Sequence, residues 1–283
     1  MGIAMPELPE LEVVCEVLKR RVIGQRITSI QVLPPGGFLV VRDLTHEGFE
    51  KSLSGSTLAE VKRRGKFLVF SFEPTLAEFF LVINPKLTGR LQLSTPNEKK
   101  RPKTHVMFNL KNGVQLRYVD LKRMGQLYLS HKLEMIPEFM SLGPEPLEIS
   151  LEEFKMRLRP LLGEIKGLLA RGDLVAGIGN AYADEILWEA KLFPYIKRPK
   201  LTQGEIDRLY IAMRTTLLNS IIKVREEMGE DIYLKPREFM AVHMKTGQPC
   251  PRCGTPISLV GANQRITNFC RTCQPGGLTK GVQ

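Results

Sequence analysis

At 283 residues the chain is long for one hydrophobic core and comfortable for two domains with a small appendage. Lys and Arg number 41 against 30 Asp and Glu, a formal charge of +11 that favours a polyanionic partner. The longest apolar runs, such as Phe67–Phe72 and Phe79–Ile83, are strand-sized, and no basic-then-apolar leader opens the sequence, which argues against membrane-spanning and secreted classes.

A helical rhythm runs over 7–22, with Leu11, Val14, Leu18 and Val22 on one face. Glu7 and Glu10 stand at its start and Lys19, Arg20 and Arg21 near its end, complementing the helix dipole. Cys15, inside this pattern, reads as a packed core thiol. From about 25 to 130 the pattern turns short and strand-like: 27–32, 58–63, 67–72, 79–83, 91–93, 105–110, 114–118 and 126–130. Turn chemistry separates them, as in Pro34-Pro35-Gly36-Gly37 and Lys111-Asn112-Gly113, and many short strands with regular turns argue for a sandwich or barrel. Leu142-Gly143-Pro144-Glu145-Pro146 reads as a linker. Helices are expected over 151–159, 164–170, 179–191 and 203–225, with capping boxes at Ser150/Glu153 and Thr202/Glu205.

Near the C-terminus, Cys250-Pro251-Arg252-Cys253 and Cys270-Arg271-Thr272-Cys273 form two Cys-x-x-Cys knuckles sixteen residues apart. This spacing suits one tetrahedral zinc on Cys250, Cys253, Cys270 and Cys273, with a short hairpin between the knuckles. All four coordination positions are filled, so the zinc is structural. From His243 onward there are five Lys or Arg and no Asp or Glu, so the segment stays positive even with four thiolates and one divalent ion. An odd thiol beside a zinc quartet fits a reducing cytoplasm. The Gly177-Ile178-Gly179-Asn180 turn opens a helix. Read alone, it is either a helix–helix turn or a place where backbone N–H groups approach a phosphate.

Taken together these blocks carry a resemblance. Gly177-Ile178-Gly179-Asn180-Ala181-Tyr182-Ala183-Asp184-Glu185 resembles the helix–two-turn–helix signature of the formamidopyrimidine-DNA glycosylase / endonuclease VIII family. The segments Pro249–Gly254 and Arg265–Gln274 are similar to its zinc finger, Met5-Pro6-Glu7-Leu8-Pro9-Glu10 to its amino terminus, and Arg63-Arg64-Gly65-Lys66-Phe67-Leu68 to its lysine-bearing strand. The resemblance implies an α+β multidomain fold: an N-terminal β-sandwich with an N-terminal helix (1–138), a helix–two-turn–helix domain (139–240) and a four-cysteine zinc finger (241–283).

It implies a base-excision repair enzyme, a DNA glycosylase with abasic-site lyase activity. Such an enzyme removes oxidised bases from damaged double-stranded DNA and cleaves the abasic strand by β,δ-elimination. A monomer suffices, in the cytoplasm and associated with the nucleoid. The implied catalytic set is Pro6, Glu7, Lys66 and Arg265. A chain beginning at Pro6 presents a secondary amine that attacks the sugar C1′ and leaves an iminium, with Glu7 shuttling protons. The implied DNA contacts are Glu10, His105, Asn180 and Tyr182, together with Leu87 and Lys122-Arg123-Met124, which fill the hole left by the flipped nucleotide.

The chain departs from the family wording in three places. Leu87 and Lys122-Arg123-Met124 replace the family's usual Met and Arg-Arg-Phe, and lysine lacks arginine's planar fork. Residues 168–173 lack the usual Leu-Leu-Asp-Gln. Met1-Gly2-Ile3-Ala4 precedes the amino-terminal motif; if retained, it locks the Pro6 nitrogen in an amide and leaves a catalytically silent DNA-binding relative as the alternative. An unrelated zinc-ribbon RNA-associated protein would share the charge and cysteines but has no use for Pro-Glu at the start. The lesion-binding loop is expected at about 226–244.

Overall fold

The computed structural model describes residues 5–73, 78–261 and 266–276, and its first element is helix α1 (Leu8–Val22). Glu7 caps this helix in a reciprocal box with Glu10, whose carboxylate accepts from the Glu7 backbone N–H at 2.9 Å. Lys19, Arg20 and Arg21 lie in its last turn, and the apolar face that includes Leu11, Val14, Leu18 and Val22 is buried. Cys15 is buried as well and its thiol donates to the Val61 carbonyl; burial pushes its pKa up to about 11.

Among the described residues, nine strands follow in the first part of the chain. They are β1 (Ile27–Val32), β2 (Val41–Asp43), β3 (Leu58–Arg64), β4 (Phe67–Phe72), β5 (Phe80–Asn84), β6 (Gly89–Ser94), β7 (Thr104–Leu110), β8 (Gln115–Asp120) and β9 (Gln126–Ser130). They form two sheets, ordered β1-β7-β8-β6 and β2-β9-β5-β4-β3, antiparallel except for the β2–β9 pair. These are the layers of the expected β-sandwich, and α1 covers β3 and β4. Every position of β8 is buried, so both of its faces are covered.

Two short helices, α2 (Gly36–Val40) and α3 (Phe49–Leu53), and the parallel strand β2 have no counterpart in the sequence reading. Gly36-Gly37 reads as a turn, yet a Cβ at Gly36 would lie 2.2 Å from the His105 ring, so close packing is what requires glycine there.

The remaining elements are α4 (Leu151–Leu158), α5 (Ile165–Ala170), α6 (Asn180–Glu189), α7 (Gln203–Met228), β10 (Ser258–Val260) and β11 (Thr267–Phe269). Ser150 caps α4 through the Glu153 N–H at 3.1 Å, and Thr202 and Glu205 bond reciprocally before α7. Strands β10 and β11 make the hairpin between the cysteine knuckles.

The chain divides into two compact units, Met1–Ser141 with Val224–Pro236, and Leu142–Lys223 with Arg237–Gln283. The first break lies beside the expected one after residue 138. The other expected break, after residue 240, does not separate a third unit: 224–236 returns to the first unit and the zinc hairpin groups with the helices. Among the described residues no helix is long and apolar enough to cross a membrane.

Candidate active site and nucleic-acid interface

In the first unit, Pro6 and Glu7 sit at the entrance to α1, where the positive end of the helix dipole gives a locally positive field. Both are buried, Glu7 to 2% exposure. Pro6 lines a cavity together with Glu10, Arg90, Ile232, Leu234 and Lys235. The free space, about 20 Å³, holds a water and little more. The loop expected to read the lesion thus supplies part of the wall beside the expected nucleophile through its first half, up to Pro236.

Lys66 is not within a strand. Arg64 pairs with Phe67, so Gly65-Lys66 is the two-residue tip of the β3–β4 hairpin. Gly65 takes φ +56°, a conformation glycine adopts at no steric cost in such a tight connection. Arg63 braces this tip: its guanidinium donates to the Gly65 carbonyl at 3.2 Å and to Glu12 of α1 at 2.5 Å. The helix that Pro6 and Glu7 lead into and the turn bearing Lys66 are therefore fastened through one arginine.

Leu87 is half-buried in the β5–β6 loop, while Lys122, Arg123 and Met124 are exposed in the β8–β9 loop. Each loop carries a cationic residue in the left-handed region, Lys86 at φ +46° and Arg123 at φ +55°, conformations that surrounding structure has to impose.

Three residues expected to contact DNA are buried and otherwise engaged. Glu10, 2% exposed, serves the capping box. His105, 5% exposed, sets Nε2 at 2.9 Å from the Asp120 carbonyl. Tyr182 is fully buried in α6, with the Arg237 guanidinium over its ring. Arg265 lies outside the described residues.

In the second unit, Asn180 begins α6 and donates its side-chain amide to the Ile266 carbonyl at 2.9 Å. Lys166 converges on the same carbonyl at 2.8 Å and on the Thr267 hydroxyl at 2.8 Å, and forms an ion pair at 2.6 Å with the fully buried Asp184. The other oxygen of Asp184 meets His243 Nδ1 at 2.8 Å and the Asn268 N–H. Glu185 accepts three successive backbone N–H groups, from Ala241, Val242 and His243. Neither Lys166 nor His243 stood out in the sequence. The adjacent acids in Tyr182-Ala183-Asp184-Glu185 were the available signal, because two carboxylates on a helix between glycine turns must find donors if buried.

The four cysteine sulfurs lie within 4.8 Å of one another, a spread that fits one tetrahedral ion on bonds of about 2.3 Å. Hydrogen bonds from Thr255 pull the Cys253 thiol down to about 6, so a ligand-ready thiolate exists at neutral pH. Trp188 donates its indole N–H to Cys250 at 3.4 Å, and the Arg252 guanidinium stacks 4.0 Å from that ring while pairing with Glu189. A single structural zinc fits this donor set.

Comparison with known proteins agrees with this arrangement. Residues 5–127 match the formamidopyrimidine-DNA glycosylase N-terminal domain, 142–229 the H2TH domain of the same enzymes, and 247–276 the zinc finger found in FPG and IleRS. The chain belongs to the formamidopyrimidine-DNA glycosylase family. It is 36% identical to the formamidopyrimidine-DNA glycosylase of Symbiobacterium thermophilum, covering 96% of this chain and 90% of that protein. With the enzyme from Pelotomaculum thermopropionicum the figures are 35%, 95% and 99%.

Among solved structures, Lactococcus lactis Fpg in complex with DNA containing an abasic site superposes with a TM-score of 0.82 at 30% identity, over 95% of this chain and 100% of that one. MutM in complex with DNA containing carbocyclic 8-oxo-G gives 0.83 at 31%, over 96% and 100%. This family member is accordingly a zinc-finger DNA glycosylase of base-excision repair.

Proposed function

We propose that the enzyme excises oxidised bases of the formamidopyrimidine and 8-oxoguanine type from duplex DNA, then cleaves the abasic strand by β- and δ-elimination through an iminium on Pro6. The observation that carries this reading is Pro6 in the wall of a cavity at the entrance to α1, followed directly by the buried Glu7. The reacting species is a chain that starts at Pro6.

An α-amino group titrates near pH 8, and the positive end of a helix lowers that value further, so a neutral fraction is available at about pH 7. The Pro6 lone pair attacks C1′ of the extruded nucleotide. The bond from C1′ to the base breaks, and Glu7 supplies the proton that leaves with the base or opens the sugar ring. A secondary amine yields an iminium with a permanent positive charge. This draws electrons from C2′, whose proton is removed as the C3′–O bond breaks; a second elimination releases the 5′ phosphate. Lys66 at its hairpin tip, and Arg265, hold the phosphates flanking the lesion.

Leu87 and Arg123-Met124 fill the vacated stack, and the segment around Ile232–Lys235 moves outward to admit a base into the narrow cavity. The 1–138 region, completed by the returning segment 224–236 beside Pro6, is the catalytic part, while the rest of 139–240 and 241–283 grip the backbone. A reducing cytoplasm at the nucleoid, where thiolates keep their zinc, is the compartment we assign.

Borohydride trapping on abasic DNA tests the mechanism. A chain verified by intact mass to begin at Pro6 should form the reduced adduct. Pro6→Gly should slow trapping strongly, and Glu7→Gln should abolish base removal more than nicking of preformed abasic sites. Absence of any adduct from the verified chain refutes the mechanism and leaves a DNA-binding relative without catalysis.

A further inference from the structure

The β5–β6 and β8–β9 loops each carry the chain from one sheet to the other, as does the longer segment from β1 to β2. Asn84 pairs with Gln126 in one sheet, and Gly89 pairs with Asp120 in the other, so both loops are flanked by the same ladders. Between them lies the Asp120 carboxylate, fully buried. It accepts from the Thr88 hydroxyl of the first loop, from the Lys122 N–H at 3.2 Å and the Gly125 N–H at 2.8 Å of the second, and from the Tyr118 hydroxyl at 3.3 Å. Four donors match the lone-pair capacity of a carboxylate, which lets the charge stay buried.

Thr88 links both ways, because its oxygen also accepts from the Lys122 N–H at 2.9 Å. Beneath this cluster the Tyr118 hydroxyl fills the space that side chains would need at two glycines: a Cβ would lie 2.2 Å from it at Gly89 and 1.7 Å at Gly125.

We propose that Thr88 and Asp120 are positioning residues that clamp the two loops into a single wedge, so that Leu87 and Arg123-Met124 enter the duplex together. The inference rests on the reading that these loops occupy the vacated stack. Two short loops ordered separately would each lose conformational entropy on DNA. Joined beforehand through a buried charge-assisted hydrogen bond, they lose little. The same clamp holds Arg123 in its left-handed conformation, since the bonds to the Lys122 and Gly125 N–H groups pin the backbone one residue before it and two after it.

The test uses the full chain, zinc-loaded, and a duplex carrying a tetrahydrofuran abasic analogue with 2-aminopurine opposite it. The fluorescence rise on binding reports wedge entry. Single-turnover removal of 8-oxoguanine and cleavage of a preformed abasic site are measured in parallel. Thr88→Val removes the hydroxyl at nearly constant shape and should lower the fluorescence rise and slow base removal about tenfold, the worth of one charge-assisted hydrogen bond. Cleavage of the preformed abasic site, which needs less unstacking, should suffer less. Thr88→Ser should restore wild-type behaviour, and Asp120→Asn, which puts an amide donor among donors, should be worse than Thr88→Val.

If the wild type itself gives no fluorescence rise, the assignment of the loops to the stack is wrong. If the wild type responds and Thr88→Val matches it in every assay, the clamp is wrong. Equal slowing of base removal and abasic cleavage in a folded Thr88→Val would reduce Thr88 to general stability and also overturn the proposal.

Discussion

Replacing Lys166 by Met isolates the buried charge that fixes the zinc hairpin to helix α6. The ammonium is only 10% exposed and sits 2.6 Å from a carboxylate with no exposure at all. At that separation the attraction is about 6 kcal/mol in an effective dielectric of about 20, most of it offset by desolvation of both groups. Methionine keeps the volume but leaves Asp184 as a buried anion, which costs roughly 3–5 kcal/mol. The lower half of that range is expected, because His243 Nδ1 and the Asn268 N–H still reach Asp184 and Asn180 still serves the Ile266 carbonyl. Adding Asp184→Asn removes the stranded charge, so the double variant should recover about 2 kcal/mol of the loss.

Urea unfolding followed by fluorescence is well suited to this measurement. The chain's single tryptophan, Trp188, lies in the same unit as the variants. A Lys166→Met protein within about 0.5 kcal/mol of wild type, or a double variant whose losses simply add, would refute a coupled buried pair.

Four further outcomes are expected. Chelation of zinc should change Trp188 emission, because its N–H loses a zinc-bound thiolate partner. Trp188→Phe should weaken zinc affinity by about 10–100-fold in a competition titration with a chromophoric chelator; unchanged affinity in a folded variant would count against an outer-shell role. Arg225 binds Glu16 through two guanidinium nitrogens, Nε and Nη2, and holds its carboxyl below the usual value. That stabilisation is therefore complete above the unfolded carboxyl pKa of about 4.3 and fades as pH falls through the lower folded value. Both groups are partly exposed, so Arg225→Ala should cost no more than about 1 kcal/mol at about pH 7 and should flatten the acid limb of stability against pH. Gly125→Ala drives a methyl into the Tyr118 hydroxyl and should destabilise by about 1–3 kcal/mol, with Tyr118→Phe in the same chain returning part of the loss in a thermal melt.

The strands and helices that the sequence revealed were those with a clear period or cap. Helix α1 showed its apolar face and its terminal charges, and α4 and α7 announced their starts through Ser150 and Thr202. Local pattern was silent where the cause was remote. Helix α2 hides in a glycine pair whose requirement comes from His105, far along the chain. Lys66 reads as strand because Gly65 alone, among Arg and Phe neighbours, is a weak turn signal. At the zinc site, the cysteine knuckles were legible because their chemistry fixes their spacing. Lys166, Asp184 and His243 were not, since no local feature says which charges will meet in the interior. Burial of Glu10, His105 and Tyr182 was hidden for the same reason: a polar residue gives no sign in the sequence of whether water or protein will satisfy it.

The polypeptide leaves the first unit at Ser141 and comes back only at Val224. Met228 and Ile232, both nearly inaccessible, close the cavity beside Pro6, and Arg225 and Glu230 fasten to α1. A nascent chain emerging from the ribosome therefore cannot complete its amino-terminal lobe from its own first 141 residues. It must wait, with a greasy gap along α1, until most of the second unit has been translated. Truncation after Ser141 should thus give a sticky fragment, and completion of the cavity beside Pro6 is coupled during synthesis to production of the second unit.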